Sequence, residues 1–318
     1  MMVNLKTTYM GLSLKNPVLV ASSPLSQNLD DLRRTADAGA AAVVMFSLFE
    51  EQVEKANHPY FPSQEDYTIN PDAYFEHLHE AVACTDIPII GSLNGVTTKG
   101  WEIYARKIEQ AGAAGIELNI YHIASNTGET GTEVEKRHLD ILKAVKEAVR
   151  IPVAMKLSPY FSALANMAKQ FDEAGADALV LFNPFYQPDF NLDAMEIEAS
   201  LDLSDIGDIR LPLRWIAMLH GKLNASLGAS TGVHSGEEVV KYLLAGADAV
   251  QTAAALLIHG PDYVSTLLNE LQEWMNLKEY SSVDEIKGAM GQRAVTNSGE
   301  FERANYIKVL KAYKQKRG

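Results

Sequence analysis

Four times along the chain, at 38–40, 111–113, 174–176 and 245–247, an Ala-Gly-Ala tripeptide closes a segment of helical periodicity and opens an apolar run. Glycine accepts the left-handed backbone that ends a helix, and small neighbours let the chain turn at once into a buried strand. The runs that follow are AAVVMF, AGIELN, DALVLF and DAVQTA, and interleaved with them lie four more, KNPVLVAS, IPIIGSL, IPVAMKL and NASLGAS. These runs are continuously apolar rather than alternating, as strands of a parallel sheet buried on both faces must be. Segments with helical spacing, such as 30–38, 97–111, 135–149, 161–174, 236–245 and 261–277, separate them. Eight alternating units predict an α/β protein with the (β/α)8 TIM-barrel architecture. No Gly-x-Gly-x-x-Gly turn follows any run, which places a doubly wound sheet second. No low-complexity or Pro/Ser-rich linker divides residues 1–318, so a single domain is expected, with a helical tail from about 283. Two connections are long, 49–70 after strand two and 184–212 after strand six; long loops over a barrel mouth act as lids or interfaces.

Charge and cysteine content exclude several classes of function. The formal charge is −13, and a protein that binds nucleic acid needs a basic face to displace counterions, so no nucleic-acid partner is expected. Cys84 is the one cysteine, which excludes an internal disulfide and a cysteine-ligated metal or iron–sulfur site. No apolar run is long enough to span a bilayer, and the first residues lack a basic segment followed by a long apolar one, so a cytoplasmic protein without a membrane partner is expected. Apart from His122, the histidines are scattered without a metal-ligand spacing, and no metal is expected.

In a barrel of this kind chemistry sits at the C-terminal ends of the strands. The densest polar cluster there is 115–126, GIELNIYHIASN, after strand four: Ile116 and Leu118 read as buried, while Asn119, Tyr121, His122, Ser125 and Asn126 offer donors, acceptors and one group titrating near neutrality. Lys156 ends the otherwise apolar strand five, where it must pair with an anion or lose its charge. It suits either a Schiff base or a fixed cation beside an anionic cofactor or intermediate. The exits of strands seven and eight, ASTGV before Ser235 and QTAAALL, have the small residues and helix starts that grip a phosphate. Seven acids lie between Asp189 and Asp208 with no basic residue before Arg210, the pattern of a solvated acidic surface.

The order of motifs resembles the dihydroorotate dehydrogenase family, FMN-dependent (β/α)8 barrels, and its soluble class 1 branch most closely. GLSLKNPVLVAS near the N-terminus, ELN on strand four, VAMKLSPYF on strand five and AGADAVQTAAAL through strand eight carry the likeness. The resemblance implies that Ala21, Ser22, Asn119 and Lys156 contact the flavin, that Gly232, Ala253 and Ala254 lie near the FMN phosphate, and that Asn119, Asn126 and Asn183 hold a dihydroorotate-like substrate. The class 1 base is a cysteine three residues after the strand-four asparagine, where this chain has His122. A histidine suits proton abstraction near neutral pH, so His122 is the first candidate base, with Ser125 and Tyr121 behind it. The family's lysine after strand two is replaced around 45–47, and its glycine-rich GTGG is ASTG. The resemblance further implies a homodimer. No dinucleotide fingerprint or cysteine cluster provides an onward path for electrons within the chain, which leaves fumarate, a quinone or a separate electron-transfer subunit as acceptors. A lysine Schiff-base aldolase using Lys156, and a non-catalytic FMN-binding partner subunit, are the alternative readings.

Overall fold

Each of the four Ala-Gly-Ala signatures ends a helix in the same way. The structure, a computed structural model, describes residues 3–50, 71–95, 100–184, 187–198, 202–303 and 305–315. Gly39, Gly112, Gly175 and Gly246 all have positive φ, between 91° and 116°. The alanine after each glycine returns its N–H to a carbonyl five residues back, Thr35, Ile108, Phe171 and Tyr242, at 3.0, 3.3, 3.0 and 2.9 Å. This is the Schellman closure, which satisfies the last carbonyls of a helix and redirects the chain toward the sheet.

The strands so delivered form a closed parallel barrel. Its members are β1 (Val18–Val20), β2 (Val43–Val44), β3 (Ile89–Gly95), β4 (Gly115–Ile120), β5 (Val153–Leu157), β6 (Ala178–Leu181), β7 (Ser226–Ala229) and β8 (Ala249–Thr252). Neighbours pair in sequence order, and β8 closes on β1 through Val250↔Val18 and Thr252↔Val20. The run AAVVMF gives only Val43 and Val44 to the barrel; the chain leaves and pairs β3 again at Leu48–Phe49. Outside the barrel lie α1 (Leu29–Asp37), α2 (Pro71–Cys84), α3 (Trp101–Gln110), α4 (Gly131–Ala148), α5 (Leu164–Glu173), α6 (Arg210–Leu219), α7 (Gly236–Ala245), the short α8 (Ala254–His259) and α9 (Val264–Leu277). Asn28 caps α1, and Thr130–Glu133 and Ser235–Glu238 form capping boxes on α4 and α7, so these starts are written in local chemistry.

Two apolar cores follow from the two faces of the sheet. The larger lies between strands and helices; the smaller fills the barrel with Leu19, Ala42, Val44, Ile90, Ala154, Val180 and Ala249. An antiparallel ribbon, Thr7–Tyr9 with Leu12–Leu14, plugs the N-terminal end by adding Tyr9, Met10 and Leu14 to that inner core. A second ribbon, Asp189–Asn191 with Glu196–Glu198, occupies part of the long connection after β6 and is exposed throughout. Most of the other long connection, 51–70, lies outside the described residues, as does the lid expected there. The expected tail contains a turn of helix at Val283–Ile286 and a helix at Asn305–Gln315.

Candidate active site

Strand alternation decides which side chains enter the barrel mouth. Successive residues of a strand face opposite sides, so Glu117 and Asn119 of β4 share the inward face, as do Ala154 and Lys156 of β5. Asn119 lies beside Lys156 in register, with Asn94 of β3 on its other side. Lys156 and Asn119 are each only 8% exposed. Asn183, just beyond β6, hydrogen-bonds its backbone N–H to Leu157 O at 2.8 Å and donates its Nδ2 to Asn119 Oδ1 at 2.9 Å. Asn119, Lys156 and Asn183 are therefore brought together, as the sequence expects.

On the opposite arc, hydroxyls replace the cation that sequence reasoning finds missing after strand two. Ser22 Oγ lies 3.2 Å from Ser47 Oγ, which lies 2.8 Å from Ser92 Oγ, a chain joining the exits of β1, β2 and β3. Ala21 is tied to β8 by its N–H to Thr252 O at 2.8 Å. The phosphate-type loops also meet. Thr252 Oγ1 donates to Val233 O at 3.0 Å, which holds Gly232 close to Ala253 and Ala254 at the start of α8. Gly232 has φ +72, and a Cβ there would stand 2.7 Å from Ile209 N, so only glycine lets this loop pass the turn before α6.

The stretch after β4 divides. His122 is drawn toward the start of α4: its Nε2 lies 2.8 Å from Glu129 Oε2, and Arg137 of α4 holds the other carboxylate oxygen. The hydrogen bond to His122, followed by that to Arg137, keeps the Glu129 carboxyl below the usual carboxylate range. A carboxylate can only accept, so Nε2 carries a proton, and in the neutral imidazole Nδ1 is then the acceptor. Ser125 and Asn126 lie on an exposed loop, where Asn126 Oδ1 accepts from Gly128 N at 3.0 Å; neither joins the Asn119–Lys156–Asn183 group in this structure. Tyr121 is half-buried beside them.

Two polar residues of the site, Glu117 and Glu129, are not among the candidates found in the sequence. Glu117, 1% exposed, has Oε1 3.4 Å from Lys156 Nζ, and its Oε2 accepts from Gln251 Nε2 at 2.7 Å. An acid two residues before Asn119 shares its face by the strand period, a signal present in ELN. Glu129 follows His122 by seven residues through a loop, where no period links them. Among the described residues, no group of three or more His, Cys, Asp or Glu is placed to hold a metal ion.

The sequence pattern of the family described as dihydroorotate dehydrogenase matches residues 4–275. The chain belongs to the dihydroorotate dehydrogenase family. Among its curated relatives, a "Dihydroorotate dehydrogenase B (NAD(+)), catalytic subunit" of Methanocaldococcus jannaschii is 29% identical over 302 residues, covering 89% of this chain and 97% of the relative. The protein of that name from Methanothermobacter thermautotrophicus is 26% identical over 300 residues, covering 89% and 97%. A "Putative dihydroorotate dehydrogenase A (fumarate)" of Aeropyrum pernix is 29% identical over 223 residues, 66% of this chain and 70% of the relative. As a dihydroorotate dehydrogenase family member the chain is an oxidoreductase acting on CH–CH bonds, in a family that works with flavin. That sets aside the aldolase and the non-catalytic subunit. Among the described residues no helix is long and apolar enough to cross a membrane.

Proposed function

We propose that this dihydroorotate dehydrogenase family member binds FMN across the barrel mouth and oxidises dihydroorotate in pyrimidine biosynthesis, with His122 as the base. The observation that carries the reading is Lys156: a lysine 8% exposed, at the end of an apolar strand, beside the Asn119–Asn183 amide pair. The surrounding residues fit a flavin. Ser23 Oγ is buried at the β1 exit without a hydrogen-bond partner among the described residues, and Gly232, Ala253 and Ala254 converge where a phosphate is expected. Bound FMN supplies the hydride acceptor.

The protein's own residues account for the rest. Lys156 places a cation where negative charge grows, the role of fixed electrostatic stabilisation. Asn119 and Asn183 orient the substrate's amide and carboxylate groups; Asn126, the third substrate contact that the resemblance implies, stands apart from them on the exposed loop after β4. His122 takes the proton from the carbon next to the hydride donor through Nδ1, while Glu129 stabilises the imidazolium that results. Ser125 is the second candidate for that proton. The chain has one cysteine and no dinucleotide fingerprint, so electrons leave to an acceptor outside it. The relatives named as catalytic subunits support a separate electron-transfer subunit as that acceptor. The family resemblance further suggests a homodimer, and the protein is read as cytoplasmic. Four large exposed apolar side chains on the second ribbon, Phe190, Leu192, Met195 and Ile197, are the kind of surface a protein partner covers.

The direct check on the cofactor is the spectrum of the purified protein. It is expected to show bound flavin released as FMN on denaturation. A colourless protein that takes up no added FMN contradicts the reading.

A further inference from the structure

Beneath Lys156 lies a polar group that neither the hydride step nor the proton step uses. β4 and β5 run in register Glu117↔Ala154 and Asn119↔Lys156, so Glu117 sits one inward layer deeper than the lysine. Its Oε1 has Lys156 Nζ at 3.4 Å and no hydrogen-bond partner, and its Oε2 is held by Gln251 Nε2 from across the barrel at 2.7 Å. Tyr9 of the N-terminal ribbon closes the floor. Burial, followed by the charge of Glu117, drives its hydroxyl well above the usual tyrosine range, so it stays neutral below the pair. A lone ammonium in so closed a place sheds its proton, and a carboxylate beside it offsets that loss.

We propose that Glu117 is a positioning residue: its carboxylate, locked by Gln251, keeps Lys156 charged and directed at the flavin, and so sets how readily the flavin is reduced. The proposal rests on the FMN reading above. Glu117 lies below the lysine and acts on the flavin only through it. Its removal leaves the buried lysine without its anion and weakens the hold on its charge, so the charge facing the flavin becomes more dependent on pH.

Two readouts test this in the full-length protein. In the first, acetic anhydride labelling of Lys156 at one fixed pH is followed by peptide mass spectrometry, with exposed Lys169 as internal reference. Glu117→Gln is expected to raise the labelling rate of Lys156 about tenfold, the change in neutral fraction for a shift of one pH unit, and Glu117→Asp to return most of the way. In the second, the flavin midpoint potential is measured against pH. Glu117→Gln is expected to add a proton-linked step that is absent from the wild type and from the double variant Glu117→Gln/Lys156→Met. Should Glu117→Gln fail to fold, Gln251→Met moves both readouts in the same direction by less. Labelling and potential profiles unchanged in a folded, FMN-bound variant overturn the proposal and leave the FMN reading intact. A wild type that takes up no FMN overturns both.

Discussion

In the proposed reaction His122 and Lys156 carry opposite burdens: one must gain and then give up a proton, the other must keep its charge. Replacing His122 with Ala or Asn is expected to slow substrate reduction of the flavin by roughly 10²- to 10⁴-fold, the span of general base catalysis, with FMN still bound. Stopped-flow absorbance measures it, and an unchanged rate passes the role to Ser125. Lys156, paired with Glu117, is expected to give no covalent adduct when borohydride is added with substrate; an adduct found there by mass spectrometry contradicts its role as a fixed cation. Three buried tyrosines set an alkaline limit. Burial raises the hydroxyls of Tyr9, Tyr74 and Tyr242 above their unfolded value. The stability tied to their neutral form is complete below about pH 10 and is lost as pH rises from there toward their folded values, so circular dichroism should show unfolding that starts above that pH. At this scale the sequence is legible where a polar residue interrupts an apolar strand, as at Asn119 and Lys156. It is opaque where partners come from loops or from across the barrel: Glu129 reaches His122, and Gln251 reaches Glu117 over 134 positions, by closure of the fold alone.

Helix ends are the elements the sequence specifies most fully, and they make graded predictions. A Cβ on Gly175 meets nothing nearer than Lys146 Cε at 3.7 Å, so Gly175→Ala is expected to cost about 1–2 kcal/mol for the left-handed backbone alone. A Cβ on Gly246 stands 2.2 Å from the His220 ring, so Gly246→Ala adds a clash and is expected to cost distinctly more. Urea denaturation of the two variants side by side checks the order, and equal losses contradict it. Thr130→Ala removes the capping box of α4 and is expected to cost about 1 kcal/mol. The same repeats make the barrel readable in advance, because each Ala-Gly-Ala closes one helix and aims one strand. The break in strand two is not readable, since AAVVMF is one apolar run and only the pairing of Leu48–Phe49 with β3 shows that the chain leaves and returns. The plugging ribbon at 7–14 is hidden too: its strands are three residues each, and they are ordered by contacts such as Met10 N to Ser226 Oγ at 3.0 Å, made with a strand more than 200 residues away.

For the whole molecule, barrel closure gathers the exits of β1, β4, β5, β6 and β8 around one mouth, in a chain that matches the family pattern over residues 4–275. The ribbon 189–198 exposes apolar and acidic side chains and is the surface proposed for a protein partner. Sedimentation is expected to show a homodimer, and a monomer at micromolar concentration contradicts that proposal. The central claim concerns the mouth, and anaerobic mixing with dihydroorotate tests it most directly. The flavin absorbance of the FMN-bound protein is expected to bleach as substrate reduces it; an unchanged spectrum with FMN bound contradicts dihydroorotate oxidation.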